Sequence, residues 1–137
     1  MNKKELGFLG EELLYKYLIA REFVDIKKNV FLQKSELDII ATKRSCLYFF
    51  EVRTIKSPVY YSNLADVVSN KISKYKCIKF KRGVNNYLKR NTGVLNTEFT
   101  RNADFKMIFV ICSLELYSKK AKFWFLSYST VWDYLSD

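Results

Sequence analysis

Two apolar, β-rich runs that carry acids constrain this chain more than any other stretch: Glu36-Leu37-Asp38-Ile39-Ile40-Ala41 and Cys46-Leu47-Tyr48-Phe49-Phe50-Glu51-Val52-Arg53. Four polar or small residues, Thr42 to Ser45, separate them, which is the pattern of a β-hairpin. Side chains alternate along a strand, so Glu36 and Asp38 share one face, and Leu47, Phe49, Glu51 and Arg53 share another. If Arg44-Ser45 is a two-residue loop, Lys43 pairs with Cys46 and Asp38 lies across from Glu51, with Cβ atoms about 5 Å apart. A four-residue loop keeps the two acids on one face, diagonally related. A three-residue loop with a bulge breaks the alignment, and Arg-Ser is not a favoured tight-turn dipeptide. Two carboxylates that close, among Phe and Ile, repel unless a cation sits between them.

Such a pair offers oxygen ligands only, which suits Mg²⁺ or Mn²⁺. Carboxylates with a hard cation suffice for phosphodiester hydrolysis. Arg53, two residues after Glu51 on the same strand face, can stabilise the attacking hydroxide or the charge that develops on phosphorus. Histidine is absent. That excludes Ser-His-Asp and Cys-His catalysis, His-bound zinc and nucleases built on a His base. The spacing of acid, acid and arginine is weak alone; its weight comes from the β context, from Glu11 and from the charge of the chain.

That charge is +10, from 24 Lys and Arg against 14 Asp and Glu. Such an excess marks a polyanion partner, nucleic acid ahead of an anionic membrane surface, and outweighs a basic surface kept for solubility alone. With 137 residues, 49% apolar and 17% aromatic, residues 1–137 read as one globular domain with room for a core. Cys46, Cys77 and Cys112 form no CxxC pair and read as reduced, buried hydrophobes of a cytosolic protein. No segment approaches a membrane span, and Glu5, Glu11 and Glu12 break any signal-peptide pattern, so a soluble, cytoplasmic protein with no membrane role is expected.

In chain order, Lys4 to Ala20 reads as a helix with Leu6, Leu9, Leu13, Leu14, Tyr17 and Leu18 as its apolar stripe. Glu12 falls opposite that stripe and reads as solvated; Glu11 lies at its flank, within reach of whatever packs against the helix. By itself Glu11 would be a surface residue; beside the hairpin it is a third acid. Gly7 and Gly10 suggest close packing on a sheet. Phe23 to Ile26 and Val30 to Leu32 are short strands with a bend or bulge at Lys27-Lys28-Asn29. A polar loop, Thr54 to Asn63, follows the hairpin. Leu64 to about Arg90 reads as helix, with Val67, Val68, Ile72, Tyr75, Ile78, Tyr87 and Leu88 inward and Gly83 as a point of interruption. Its outer face carries Lys71, Lys74, Lys76, Lys79, Lys81 and Arg82, then Lys89 and Arg90, with no acid from Val67 to Thr97. Solvated helix faces normally mix both signs, so the run reads as phosphate contacts. Phe105 to Leu116 is a central strand, Lys122 to Leu126 its partner, and Ser129 to Leu135 a closing helix capped by Ser129 or Thr130. The order predicts an α/β fold, a mixed central sheet flanked by helices.

Gly7-x-x-Gly10-Glu11, Asn29, Glu36-Leu37-Asp38-Ile39-Ile40 and Phe49-Phe50-Glu51-Val52-Arg53 together resemble the bacterial YraN-type family of predicted endonucleases. Lys71 and Lys74, Tyr87-Leu88, and Arg101 to Asp104 fit more loosely, and the resemblance covers roughly residues 5 to 115. It implies a restriction-endonuclease-like fold of the PD-(D/E)xK type, distantly similar to archaeal Holliday junction resolvases. It also implies Glu11 as the helix acid, Asp38 and Glu51 as metal ligands assisted by the Val52 carbonyl, and position 53 as the catalytic lysine. Branched or single-strand-containing DNA as substrate, and a homodimer, are expected on the same ground. The sequence departs from the pattern in one place: Arg53 stands where the family has lysine, with Ile55 and then Lys56 following. Arginine keeps the charge but is always protonated and fork-shaped. A catalytically impaired nucleic-acid-binding module that keeps the fold is therefore the alternative.

Overall fold

The computed structural model describes residues 1–57, 71–92, 105–115, 117, 118 and 120–136. Helix α1 (Lys3–Ala20) opens on Asn2, whose side chain accepts the Glu5 N–H at 2.8 Å. Its buried stripe is Leu6, Gly10, Leu14 and Leu18. The helix ends where Glu22 turns to φ 69°, and the Glu22 and Phe23 N–H groups bond back to the Ile19 and Leu18 carbonyls, both at 3.0 Å.

Five strands follow the order β1 (Val24–Leu32), β2 (Ser35–Lys43), β3 (Cys46–Ser57), β4 (Phe105–Glu115) and β5 (Lys120–Ser127), and lie side by side in that sequence. β3 and β4 run parallel; the other neighbours are antiparallel, so the sheet is mixed. β1 is one strand rather than two. Its register slips between Val24 and Lys27, ahead of the bend expected at 27–29, and Asp25 and Asn29 adopt φ 50° and 51°. β3 extends through Ile55, which is buried, where a loop was expected from Thr54.

Arg44 and Ser45 are the two-residue loop between β2 and β3, at φ 51° and 64°. Positive φ at both centres gives the mirror-image turn whose twist matches the strands. Lys43 pairs with Cys46, and the ladder runs on to Ile39 and Phe50.

α1 covers one face of the sheet, where Leu14, Leu18, Ile39, Ala41, Phe50 and Val110 form a buried cluster. Helices α2 (Lys74–Thr92) and α3 (Tyr128–Ser136) cover the other, over Leu37, Ile40, Phe49, Ile55, Phe109 and Ile111. The core side of α2 differs in part from expectation: Cys77 and Tyr87 are buried as expected, joined by Phe80 and Val84, whereas Tyr75 and Ile78 are 67% and 44% exposed. The cause is a new start. The Ser73 hydroxyl accepts the Lys76 N–H at 3.1 Å, so the helical phase is set from Ser73 and not carried over from Ile72. Gly83 does not interrupt α2; a Cβ there would come within 3.0 Å of Leu37 Cδ2, so the glycine lets helix and sheet close up. Val67, Val68, Pro58 and Arg101 to Asp104 lie outside the described residues. α3 follows β5 directly, capped by Ser127, whose hydroxyl accepts the Thr130 N–H at 3.3 Å, rather than by Ser129 or Thr130. Val131 is its fully buried contact, with Trp132 and Leu135 packed at its flank. Cys77 and Cys112 are buried and Cys46 half-buried, all free thiols. Among the described residues no helix is long and apolar enough to cross a membrane.

Candidate active site

The site forms where β2 turns over. Strict alternation would put Leu37 and Ile39 on one face, yet Leu37 packs on the α2 side and Ile39 on the α1 side. The residue between them, Asp38, is where the alternation changes hand. The β2–β3 ladder stops one pair short of it, and the Val52 N–H donates to Asp38 Oδ2 at 2.9 Å. A side-chain oxygen thus stands in for a strand carbonyl, which holds the carboxylate between the strands.

Two further acids converge on Asp38 from opposite faces of the sheet. Glu51 comes from β3 on the α2 side, and Glu11 from α1 on the other. Burial, then the Asp38 charge, pushes Glu11 up to about 7. Glu51 is raised well above the usual carboxylate range by burial first and Asp38 second, against the pull of the Lys76 ammonium. Burial also raises Asp38, while the Val52 N–H acts to lower it. Both glutamates hydrogen-bond Asp38 in the sense that lowers its pKa and raises theirs. Burial and the neighbouring carboxyls thus act together against full ionisation of the cluster. Glu12, one residue from Glu11, points to solvent and pairs with Lys28 at 2.7 Å.

Gly10 fixes where α1 lies. A Cβ there would collide with the Thr54 side chain, 2.9 Å from its Cβ, whereas none of the described residues lies within 4 Å of one at Gly7. Gly10 alone has the packing role expected of both, and it brings Glu11 beside β3.

Two cations flank the acids. Arg53 is half-buried, and its Nε is buried with no hydrogen-bond partner among the described residues. Lys76 is the residue sequence reasoning misplaced. It stands half-buried among Arg53, Glu51 and Asp38, its pKa lowered by burial first and by Arg53 second. A helical wheel counted from the Ser73 cap would have turned it towards the sheet. The rest of the basic run winds around α2 instead of forming one face. Lys74 lies over the Trp132 ring at 5.7 Å. Lys81 and Arg82 edge a cavity beside Tyr128 and Trp132. Lys79 is exposed and Lys71 half-buried.

Among the described residues, no three His, Cys, Asp or Glu side chains are arranged to hold a metal ion as they stand. The donor chemistry of the Asp38–Glu51 pair does suit a hard cation that keeps several waters and takes one or two carboxylates.

The comparisons with known proteins bear on the same residues. The model of the uncharacterised protein family UPF0102 matches residues 10–110. A UPF0102 protein of Dictyoglomus turgidum is 43% identical over 54 residues, 39% of this chain and 46% of its own length. One of Campylobacter fetus is 40% identical over 73 residues, 53% and 62% of the two chains. One of Photobacterium profundum is 29% identical over 100 residues, 73% and 74%. In the first two of these the aligned part spans about half to three-fifths of the relative's length. The matched span runs from Gly10 through the three acids to Val110 in β4, and the chain belongs to the UPF0102 family.

Proposed function

We propose that the protein is a metal-dependent nuclease that acts on DNA, with branched or single-strand-containing DNA as its substrate class. The observation that carries this reading is the convergence of Glu11, Asp38 and Glu51 on one point with Arg53 alongside. Three partly buried acids repel one another, and such perturbed groups gather where chemistry needs them. Asp38 and Glu51, with the Val52 carbonyl, would hold Mg²⁺ or Mn²⁺, with Glu11 beside them. Such an ion supplies polarisation of a phosphoryl oxygen and a bound water of lowered pKa. Glu11, at about 7, gains or loses a proton near neutral pH and suits general acid–base work. The exposed Lys74, Lys79, Lys81 and Arg82 would contact flanking phosphates, which gives affinity without sequence readout, and a two-fold dimer would present two such sites to a junction.

The test is cleavage of a four-way junction and of a matched linear duplex, with and without Mn²⁺, by the parent and by Asp38→Asn. Metal-dependent cleavage by the parent alone is expected; no cleavage by the parent on either substrate rejects the reading. Arg53 favours a second reading, a nucleic-acid-binding module of the same fold without turnover, because a guanidinium stabilises charge but does not accept a proton. That reading requires salt-sensitive DNA binding with no cleavage.

A further inference from the structure

Side chains on β3 alternate without interruption across the site, so Phe49, Glu51, Arg53 and Ile55 all point to the side that α2 covers; Phe49 and Ile55 are buried there. In the parallel register Glu51 stands beside Phe109 and Arg53 beside Ile111. Phe80 of α2 packs edge-on against Phe109, with ring centres 5.1 Å apart. The helical turn before Phe80 therefore passes over Glu51 and Arg53, and Lys76 is the residue one turn back. It is half-buried, next to the fully buried Cys77. Among the described residues the one ion pair is Lys28–Glu12. Lys76 thus lies in the field of Glu51 and Asp38 without being joined to either. Nearby, the Arg53 Nε has no partner among the described residues. Two cations from two elements stand at the acids, neither neutralised by direct contact.

We propose that Lys76 is the lysine of this site: its ammonium grips a non-bridging oxygen of the phosphate being hydrolysed, a role β3 does not supply because it carries Arg53. The inference rests on the nuclease reading above. In the reaction one water is consumed: its oxygen bonds phosphorus, the bond from phosphorus to the leaving sugar oxygen breaks, and that oxygen takes up a proton from the water. Lys76 donates hydrogen bonds throughout and keeps its own proton. An ammonium on a four-carbon stem reaches a shifting oxygen from a helix more readily than a rigid fork does from a strand. Arg53 is left to hold the phosphate from the sheet side.

Single-turnover cleavage of a four-way junction with Mn²⁺ by the parent, Lys76→Gln and Lys76→Arg tests this. Lys76→Gln should lose about 100-fold or more in rate, with junction affinity falling far less, since one phosphate contact of many is removed. Arg53→Lys should raise the rate by a larger factor in the Lys76→Gln background than in the parent, a non-additivity that a purely structural lysine would not give. A readout independent of cleavage is the Lys76 side-chain resonance in isotope-labelled protein, which should shift when junction DNA is added in EDTA. A folded Lys76→Gln as fast as the parent overturns the inference and leaves the nuclease reading intact. If Lys76→Gln does not fold, an unslowed Lys76→Arg together with an unmoved resonance overturns it. A parent that cleaves nothing overturns the nuclease reading and this inference with it.

Discussion

Asp38 takes a backbone partner: its Oδ2 accepts the Val52 N–H at 2.9 Å, where a strand carbonyl would otherwise stand. The acid therefore has a structural task that survives loss of its charge. Asp38→Asn keeps an oxygen for Val52 and relieves repulsion with Glu11 and Glu51, so the metal-free variant should be no less stable than the parent. Asp38→Ala leaves the Val52 N–H unpaired and should cost about 1–3 kcal/mol. Mn²⁺ should raise the parent's Tm and leave that of Asp38→Asn unchanged. Urea unfolding and thermal melts of the three proteins check this, and a parent Tm indifferent to millimolar Mn²⁺ removes the metal from the account.

The raised glutamates give stability a pH dependence of definite sign. The folded protein binds protons that the unfolded chain releases, because Glu11 titrates near 7 when folded against an ordinary 4.5. The stability that Glu11 contributes is therefore full below about 4.5 and is lost as pH rises through 7. Glu51 and Asp38, raised as well, act in the same direction. Urea denaturation in EDTA should show a lower unfolding free energy at neutral pH than in mild acid. Glu11→Gln should flatten part of that slope. A slope of opposite sign would mean the cluster does not form.

Arg53 lends itself to direct substitution. Its buried Nε lacks a partner among the described residues, so Arg53→Lys removes an unpaired donor and keeps the charge. This variant should fold and should raise Mn²⁺-dependent cleavage of a four-way junction, while Arg53→Ala lowers whatever cleavage the parent shows. Inactivity of both the parent and Arg53→Lys, with DNA binding intact, favours the binding module.

The basic run should govern affinity separately from rate. Binding to duplex or junction DNA should fall log-linearly with salt. Reversal of Lys74, Lys79 and Arg82 to Glu should weaken it about equally for all sequences. Unchanged affinity in that triple variant, measured by fluorescence anisotropy, would move the DNA surface elsewhere.

The two helix glycines should respond oppositely to one methyl group. Gly10→Ala drives a Cβ into Thr54 and should destabilise by about 1–3 kcal/mol. Gly7→Ala meets none of the described residues within 4 Å and should stabilise by about 0.5–1 kcal/mol through backbone entropy. Equal effects in urea would refute the packing assigned to Gly10.

The order of elements and the mixed sheet follow from hydrophobic period, a local property written in the chain, whereas the Lys43–Cys46 register is one of three that the sequence leaves open. What the sequence hid depends on single backbone angles and hydroxyls. Arg44 and Ser45 carry no sign of positive φ, yet both adopt it. The change of hand at Asp38 breaks the alternation that any pattern argument assumes. Ser73 resets α2 by one cap, which exposes Tyr75 and Ile78, buries Cys77 and Phe80, and moves Lys76 from the solvent side to the acids.

The parallel pairing of β3 with β4 also orders the events of assembly. β1, β2 and β3 are joined by two-residue turns and zip as local hairpins on a scale of about microseconds. Leu47 meets Phe105 only after the intervening chain has looped back, and closures of that span are the slow ones. Asp38 and Glu51 are thus neighbours early, in water, with ordinary acidity. Their unusual protonation arrives last, when α2 and β4 seal the α2 side of the sheet. A pH indicator dye in unbuffered refolding mixtures would register that final step as proton uptake, timing the closure of the sheet from the chemistry of its site.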